Sequence, residues 1–127
     1  MSFHKMTDCL IGQMTGGAII GFDGGIWAST PGFYGNPMEF YLIAAAFQPQ
    51  SDAKYKGLQF QGDLYVITSL TDDIIVAQKS SSSLIIAKCI NCLVLGYHDE
   101  QMPYNECYQA VTELAQILRN PENDSLV

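Results

Sequence analysis

Between Leu58 and Tyr97 the chain is built from short apolar runs whose separators are too brief for anything but hairpins. The runs are Leu58 to Thr68, broken at Gly62-Asp63, then Ile74 to Lys79, Leu84 to Lys88 and Cys92 to Tyr97. Thr71-Asp72-Asp73, Ser80 to Ser83 and Ile90-Asn91 stand between them. A parallel connection needs a crossover of a dozen or more residues, so this spacing predicts an antiparallel meander. Ile74-Ile75-Val76 and Leu93-Val94-Leu95 are apolar on consecutive residues, so both faces of those strands need cover and helices are expected on both sides of the sheet.

The remaining segments supply those helices. Phe3, Met6 and Leu10 recur at helical spacing before Gly12, which predicts a short amphipathic helix and a loop. Ala18 to Phe22 and a run through Trp27 flank Asp23-Gly24-Gly25 and read as a hairpin. Met38 to Phe47 is expected to be helical, with Asn36 as N-cap, Pro37 at the first position and Pro49 beyond its end. Gln48 to Lys56 reads as a polar connection. Pro103 opens a last helix whose Cys107, Ala110, Val111, Leu114, Ile117 and Leu118 form one stripe, with Asn120-Pro121 as its stop.

Residues 1–120 are expected to form a single domain, followed by a tail, 121–127. A chain of 127 residues, 48% hydrophobic and 15% charged, buries a real core without metals or disulfides. Its net charge of −7 argues against nucleic acid, which requires clustered Lys and Arg, and the six basic residues are scattered in sequence. The start has no apolar stretch fit for a signal peptide, and no run approaches transmembrane length, so a cytoplasmic protein with reduced cysteines is expected.

Candidate chemistry is thin. Cys89-Ile90-Asn91-Cys92 is a CxxC, but it falls in a strand-to-strand turn without the helix N-terminus that lowers a thiol pKa, and core thiols are the simpler reading. A zinc site would have to recruit His98, Cys107 or Cys9 as well, so no metal is expected. His98-Asp99-Glu100 reads as a solvated loop, since three adjacent side chains do not converge unaided. The glycines of Gly21 to Gly25 lead into a strand rather than a helix, and Ser80 to Ser83 lacks a nucleophile elbow. Asp124-Ser125-Leu126-Val127 is either a frayed tail or a ligand for a groove that captures a terminal carboxylate. No catalytic residue and no cofactor is expected. What is left is a surface of the two terminal helices and Trp27, whose residues by pattern alone read as ordinary core packing ahead of an apolar groove floored by the indole.

Ser2-Phe3, "AIIGFDGGIWAS" from Ala18 to Ser29, Gly57-Leu58, "LVLGYHDEQM" from Leu93 to Met102 and Cys107-Tyr108 together resemble the profilin family, in the same order over almost the whole chain. The resemblance implies an α+β fold: a central antiparallel sheet with the N- and C-terminal helices on one face and smaller helices on the other. It also implies a monomeric, cytoplasmic protein of the cytoskeleton that binds actin monomers, promotes their nucleotide exchange and has a second site for proline-rich partners of the formin kind. Such a ligand leaves its carbonyls free, so aromatic walls stack on its proline rings while an indole N–H donates to a carbonyl.

By position the resemblance assigns Phe3, Met6, Trp27, Leu114 and Ile117 to the polyproline site. Phe3, Met6 and Ile117 replace rings or donors common in the family, so polyproline binding is expected to be weakened. Val66, Ser69, Lys79, Lys88, Tyr104, Tyr108 and Gln109 are assigned to the actin site. Ala77, Ser80 and Ala87 stand where relatives commonly carry basic residues, which should weaken steering towards actin and make phosphoinositide a poor ligand. The alternative is a longin- or roadblock-like scaffold that uses the same layers to dock other proteins.

Overall fold

The computed structural model describes residues 6–100 and 102–119, and within them the meander forms as the spacing requires. The strands are β1 (Gly16–Gly21), β2 (Ile26–Ser29), β3 (Leu58–Phe60), β4 (Asp63–Leu70), β5 (Ile74–Lys79), β6 (Ser82–Lys88) and β7 (Cys92–His98). Helices α1 (Pro37–Ala45), α2 (Ala53–Lys56) and α3 (Tyr104–Arg119) complete the order, and a 3-10 turn, Asp8–Leu10, precedes β1. The seven strands lie in the order β2-β1-β7-β6-β5-β4-β3, antiparallel throughout, so the N-terminal hairpin docks on the last strand of the meander.

Strand alternation divides the interior into two layers. Ile19, Val76, Ile85, Ala87 and Val94 face α3 and the N-terminal Met6, Leu10 and Met14. Ile20, Ile75, Ala77, Leu84, Ile86, Leu93 and Leu95 face Phe40 and Ile43 of α1 and Ala53 of α2. This is the expected disposition of terminal and smaller helices. In the second layer Phe60 stands edge-on to Tyr97 at 5.0 Å, and Phe33 stacks on Phe40 at 5.8 Å.

Local chemistry sets the helix ends. The Asn36 carboxamide accepts the Met38 N–H at 2.8 Å, with Pro37 in the first turn where its missing donor costs nothing. The connection after α1 holds a helix that its polar composition concealed: Ser51 Oγ accepts the Ala53 N–H at 3.1 Å, and Ala53, the first residue of α2, is buried in the layer with Phe40 and Ile43. The start of the chain also differs from expectation. Met6 and Thr7 are helical, and the backbone then tightens into the 3-10 turn, where Cys9 Sγ donates to the Met6 carbonyl at 2.9 Å. In α3 the buried stripe includes Ala115, whereas Ile117 is 46% exposed, because the helix turns it away from the sheet. Phe3, the Asn120-Pro121 stop and the tail lie outside the described residues.

The hairpin turn is fitted to α1. Gly24 has φ +95°, and a Cβ there would overlap the Pro37 carbonyl. Substitution Gly24→Ala is therefore expected to cost roughly 2 kcal/mol or more, read as a lower urea midpoint with an unchanged m-value.

Candidate functional site

The single tryptophan reaches its position through a register fault. Ile19 pairs with Ala28, but Ile20 pairs with Ile26, so Trp27 is the extra residue of a β-bulge. In an unbroken register it would oppose Ile20 and point among the residues beneath α1. Instead its indole covers Gly21: a Cβ on that glycine would lie 2.8 Å from Nε1. Gly17, two pairs along the same face, would direct a Cβ onto Met14 and Leu10, so the indole shares the terminal-helix face of the sheet. The Asp23 carboxylate accepts the Gly25 N–H at 2.9 Å and fixes the turn beside it. Trp27 is 39% exposed.

The other residues assigned to the proline-rich site divide by depth. Met6 and Leu114 are 4% and 1% exposed and belong to the core, whereas Ile117 is on the surface. A cleft of about 380 Å³ opens between the N-terminal turn and α3, walled by Cys9, Gln13, Glu106, Glu113, Leu114 and Ile117. Its rim is acidic, with Gln109 Nε2 donating to Glu113 at 2.9 Å. The indole does not line this cleft.

A second surface lies at the far end of the same face. Helix α3 sits chiefly over β6 and β7, which leaves this face of β4 uncovered. Val66, opposite Gln78, is 58% exposed, and Ser69, opposite Val76, is also exposed. On this face Tyr104 and Tyr108, one helical turn apart, stack with centroids 5.9 Å apart and planes 27° apart. Gln109 is exposed beside them. Burial, and to a lesser degree the neighbouring Tyr108, raise the Tyr104 phenol, so its hydroxyl remains a donor.

The two lysines assigned to that surface are elsewhere. Lys79 alternates with Ile75 and Ala77 onto the α1 side, where its Nζ pairs with Asp63 at 2.8 Å. Lys88 alternates with Leu84 and Ile86 and lines a cavity of about 460 Å³ with Phe22, Tyr41 and Phe47 on that same side. Its carbonyl accepts Arg119 Nε and Nη2 at 2.8 and 2.6 Å, tying the end of α3 to β6.

His98 is not in a solvated loop. It is the last residue of β7, 5% exposed and edge-on to Tyr104 at 5.8 Å. Its Nδ1 lies 3.0 Å from the Asp99 carbonyl, and Nε2 has no hydrogen-bond partner among the described residues. The strand ran further than its apolar residues suggested because Ser83 pairs opposite His98. An exposed apolar face on α1, made by Met38, Tyr41 and Leu42, was not assigned any role; the uninterrupted apolar run from Phe40 to Ala46 was its signal. No group of three metal-ligating side chains converges among the described residues.

A family model described as Profilin matches residues 1–123. The chain belongs to the profilin family. Profilin-2 of Acanthamoeba castellanii is 29% identical over 107 residues, which span 84% of this chain and 85% of that protein. The crystal structure of profilin II from the same organism superposes with a TM-score of 0.86 at 27% identity, covering 93% of this chain and 97% of the other. Two more distant profilins share the fold. LokiProfilin2, in a complex with rabbit actin, matches with a TM-score of 0.74 at 19% identity over 92% of this chain and 95% of its own. Mouse profilin IIa, in a complex with a double repeat from the FH1 domain of mDia1, matches with a TM-score of 0.74 at 17% identity over the whole of both chains. The layered architecture is thus that of profilin rather than of a longin or roadblock scaffold.

The depth of the terminal-helix residues is open to direct measurement. Leu114→Ala is expected to destabilise by about 2–5 kcal/mol, the cost of a core cavity. Ile117→Ala is expected to change stability by less than about 0.5 kcal/mol, as surface substitutions do. Chemical denaturation of the two variants separates them.

Proposed function

We propose that this profilin binds actin monomers through the uncovered β4 surface and the first turns of α3, and acts in the cytoplasm on actin assembly. The observation that carries the reading is the Tyr104–Tyr108 stack on the same face of the sheet as exposed Val66 and Ser69. Half-buried, pre-stacked tyrosines lose little side-chain freedom on association and are the residue type that anchors interfaces. The actin complex of LokiProfilin2 supports the same reading.

Binding of this kind accelerates nucleotide exchange on actin only if the open-cleft form is held more tightly than the closed one, since differential affinity alone shifts a population. Val66, Ser69, Tyr104, Tyr108 and Gln109 make the contact. Lys79 and Lys88 act at most through the long-range field, because their side chains belong to the opposite face. With no cation among the five contact residues, phosphoinositide headgroups are poor ligands there.

Proline-rich partners of the formin kind bind weakly on the terminal-helix side, with Trp27 as hydrogen-bond donor and with Phe3, Met6, Leu114 and Ile117 as the further residues that the family resemblance assigns to the site. The mouse profilin IIa complex with FH1 repeats supports that site. Its weakness follows from burial: Met6 and Leu114 offer almost no surface to a ligand, so stacking rests on few groups. Nothing in this reading requires catalysis or a cofactor.

Replacing Tyr108 with Glu is expected to weaken binding to actin monomers by roughly tenfold or more, as loss of an interface anchor does. Lys79→Ala is expected to stay within about threefold of the parent, because an exposed ion pair contributes little. Gel filtration and fluorescence titration with actin measure both. For the second site, Trp27→Ala should abolish binding of a polyproline peptide while nucleotide exchange on actin is retained.

A further inference from the structure

The Cys89–Cys92 pair is more than a core filler. The two residues flank the two-residue turn between β6 and β7, directly opposite each other, with the Cys89 N–H donating to the Cys92 carbonyl at 2.8 Å. Opposed residues of a hydrogen-bonded antiparallel pair have Cα atoms about 5.5 Å apart, inside the span of a disulfide. Both side chains lie on the α3 face, 5% and 4% exposed, next to an exposed turn at Ile90 and Asn91. Cys89 Sγ also donates to the Ala115 carbonyl of α3 at 3.7 Å, beside the Arg119 anchor on Lys88.

No helix N-terminus faces these thiols, but other groups act on Cys89. Hydrogen bonding with Cys92 lowers the Cys89 thiol and outweighs the burial that raises it, while Arg119 adds to the lowering. Cys107, in the same core, has only burial acting on it and is pushed up to about 12. The exposed Cys9 is raised too, first by its own partial burial.

We propose that Cys89 and Cys92 form a reversible dithiol–disulfide site, oxidised by hydroperoxides, that controls how firmly the end of α3 is held to the β6–β7 turn. Cys89 thiolate attacks the terminal peroxide oxygen, the O–O bond breaks, and the other oxygen takes up a proton and departs as water from hydrogen peroxide or as an alcohol from an organic hydroperoxide. Cys92 sulfur then attacks the resulting sulfenic sulfur, its proton leaves with the hydroxyl as water, and the S–S bond closes. One peroxide accepts the two electrons given up by the two thiols. Closure removes the Cys89 S–H that Ala115 O accepts, so one of the tethers of α3 is lost. A cross-strand disulfide at a hydrogen-bonded pair must pull its Cβ atoms together, which makes it easily reduced.

The test treats the folded protein with hydrogen peroxide, alkylates it in denaturant and maps the adducts by mass spectrometry. Oxidation of the exposed Met38 to sulfoxide serves as an internal measure of dose. The expected result is loss of alkylation at Cys89 and Cys92 alone, a mass lower by two hydrogens in their peptide, and full recovery with dithiothreitol. Amide exchange of Ala115 to Arg119 should quicken in the oxidised form. In Cys92→Ser, whose hydroxyl keeps a hydrogen bond to Cys89 but cannot close a disulfide, Cys89 should stop at the sulfenic acid and be trapped by dimedone. Should that variant fail to fold, the mapping of the parent chain decides alone. Cys89 and Cys92 remaining alkylatable after Met38 is fully oxidised overturns the proposal, and a disulfide that leaves α3 exchange unchanged overturns the coupling.

Discussion

The whole molecule follows from β6 and β7 being buried on both faces. Leu84 to Ala87 and Cys92 to Leu95 are apolar on successive residues, so neither side of the central sheet can be left to water. One helical layer would strand half of these side chains, and the fold is therefore three-layered. The order of elements in the chain fixes which helix goes where. The first and last segments meet over Ile19, Ile85 and Val94, while α1 and α2, inserted between hairpin and meander, close the opposite face over Ile20, Ile86 and Leu95.

Having two covered faces produces two kinds of surface. The long helix α3 is too narrow to span seven strands, so the sheet emerges from beneath it at β4, and the helix supplies Tyr104 and Tyr108 to the same face. At the opposite end of the same face the β-bulge brings Trp27 over Gly21. Strand parity then explains why Lys79 and Lys88 are absent from this side. Each is separated by an even number of residues from side chains buried under α1, and a strand cannot turn one member of such a series around without another bulge.

Much of this was legible in the residues. The meander, its strand boundaries to within a few positions, the Asn36 cap and both helical layers were all carried by local signals: consecutive apolar pairs, hairpin-length turns and a Pro at a helix start. The parts that were not legible depend on three-dimensional register. The bulge at Trp27, the facing of Lys79 and Lys88, and the burial of His98 are set by pairing with a partner strand, about which a single strand's composition says nothing. Helix α2 was hidden for another reason, since four residues with one buried alanine carry too little periodicity to be seen. Ile117 shows the same limit within α3: its spacing suits the buried stripe, yet the width of the sheet contact decides that Ala115 is covered instead.

The two rims of the sheet are its shortest strands, β2 with four residues and β3 with three. Glu39 accepts the N–H groups of Gln61 and Gly62 at 2.9 Å each, so the turn beside β3 has its donors engaged from α1. An incoming extended segment finds little free ladder on either margin. Whatever larger assembly this chain enters has to be built by side chains meeting side chains, and the exposed apolar residues near its margins can exist without inviting a foreign strand to lengthen the sheet.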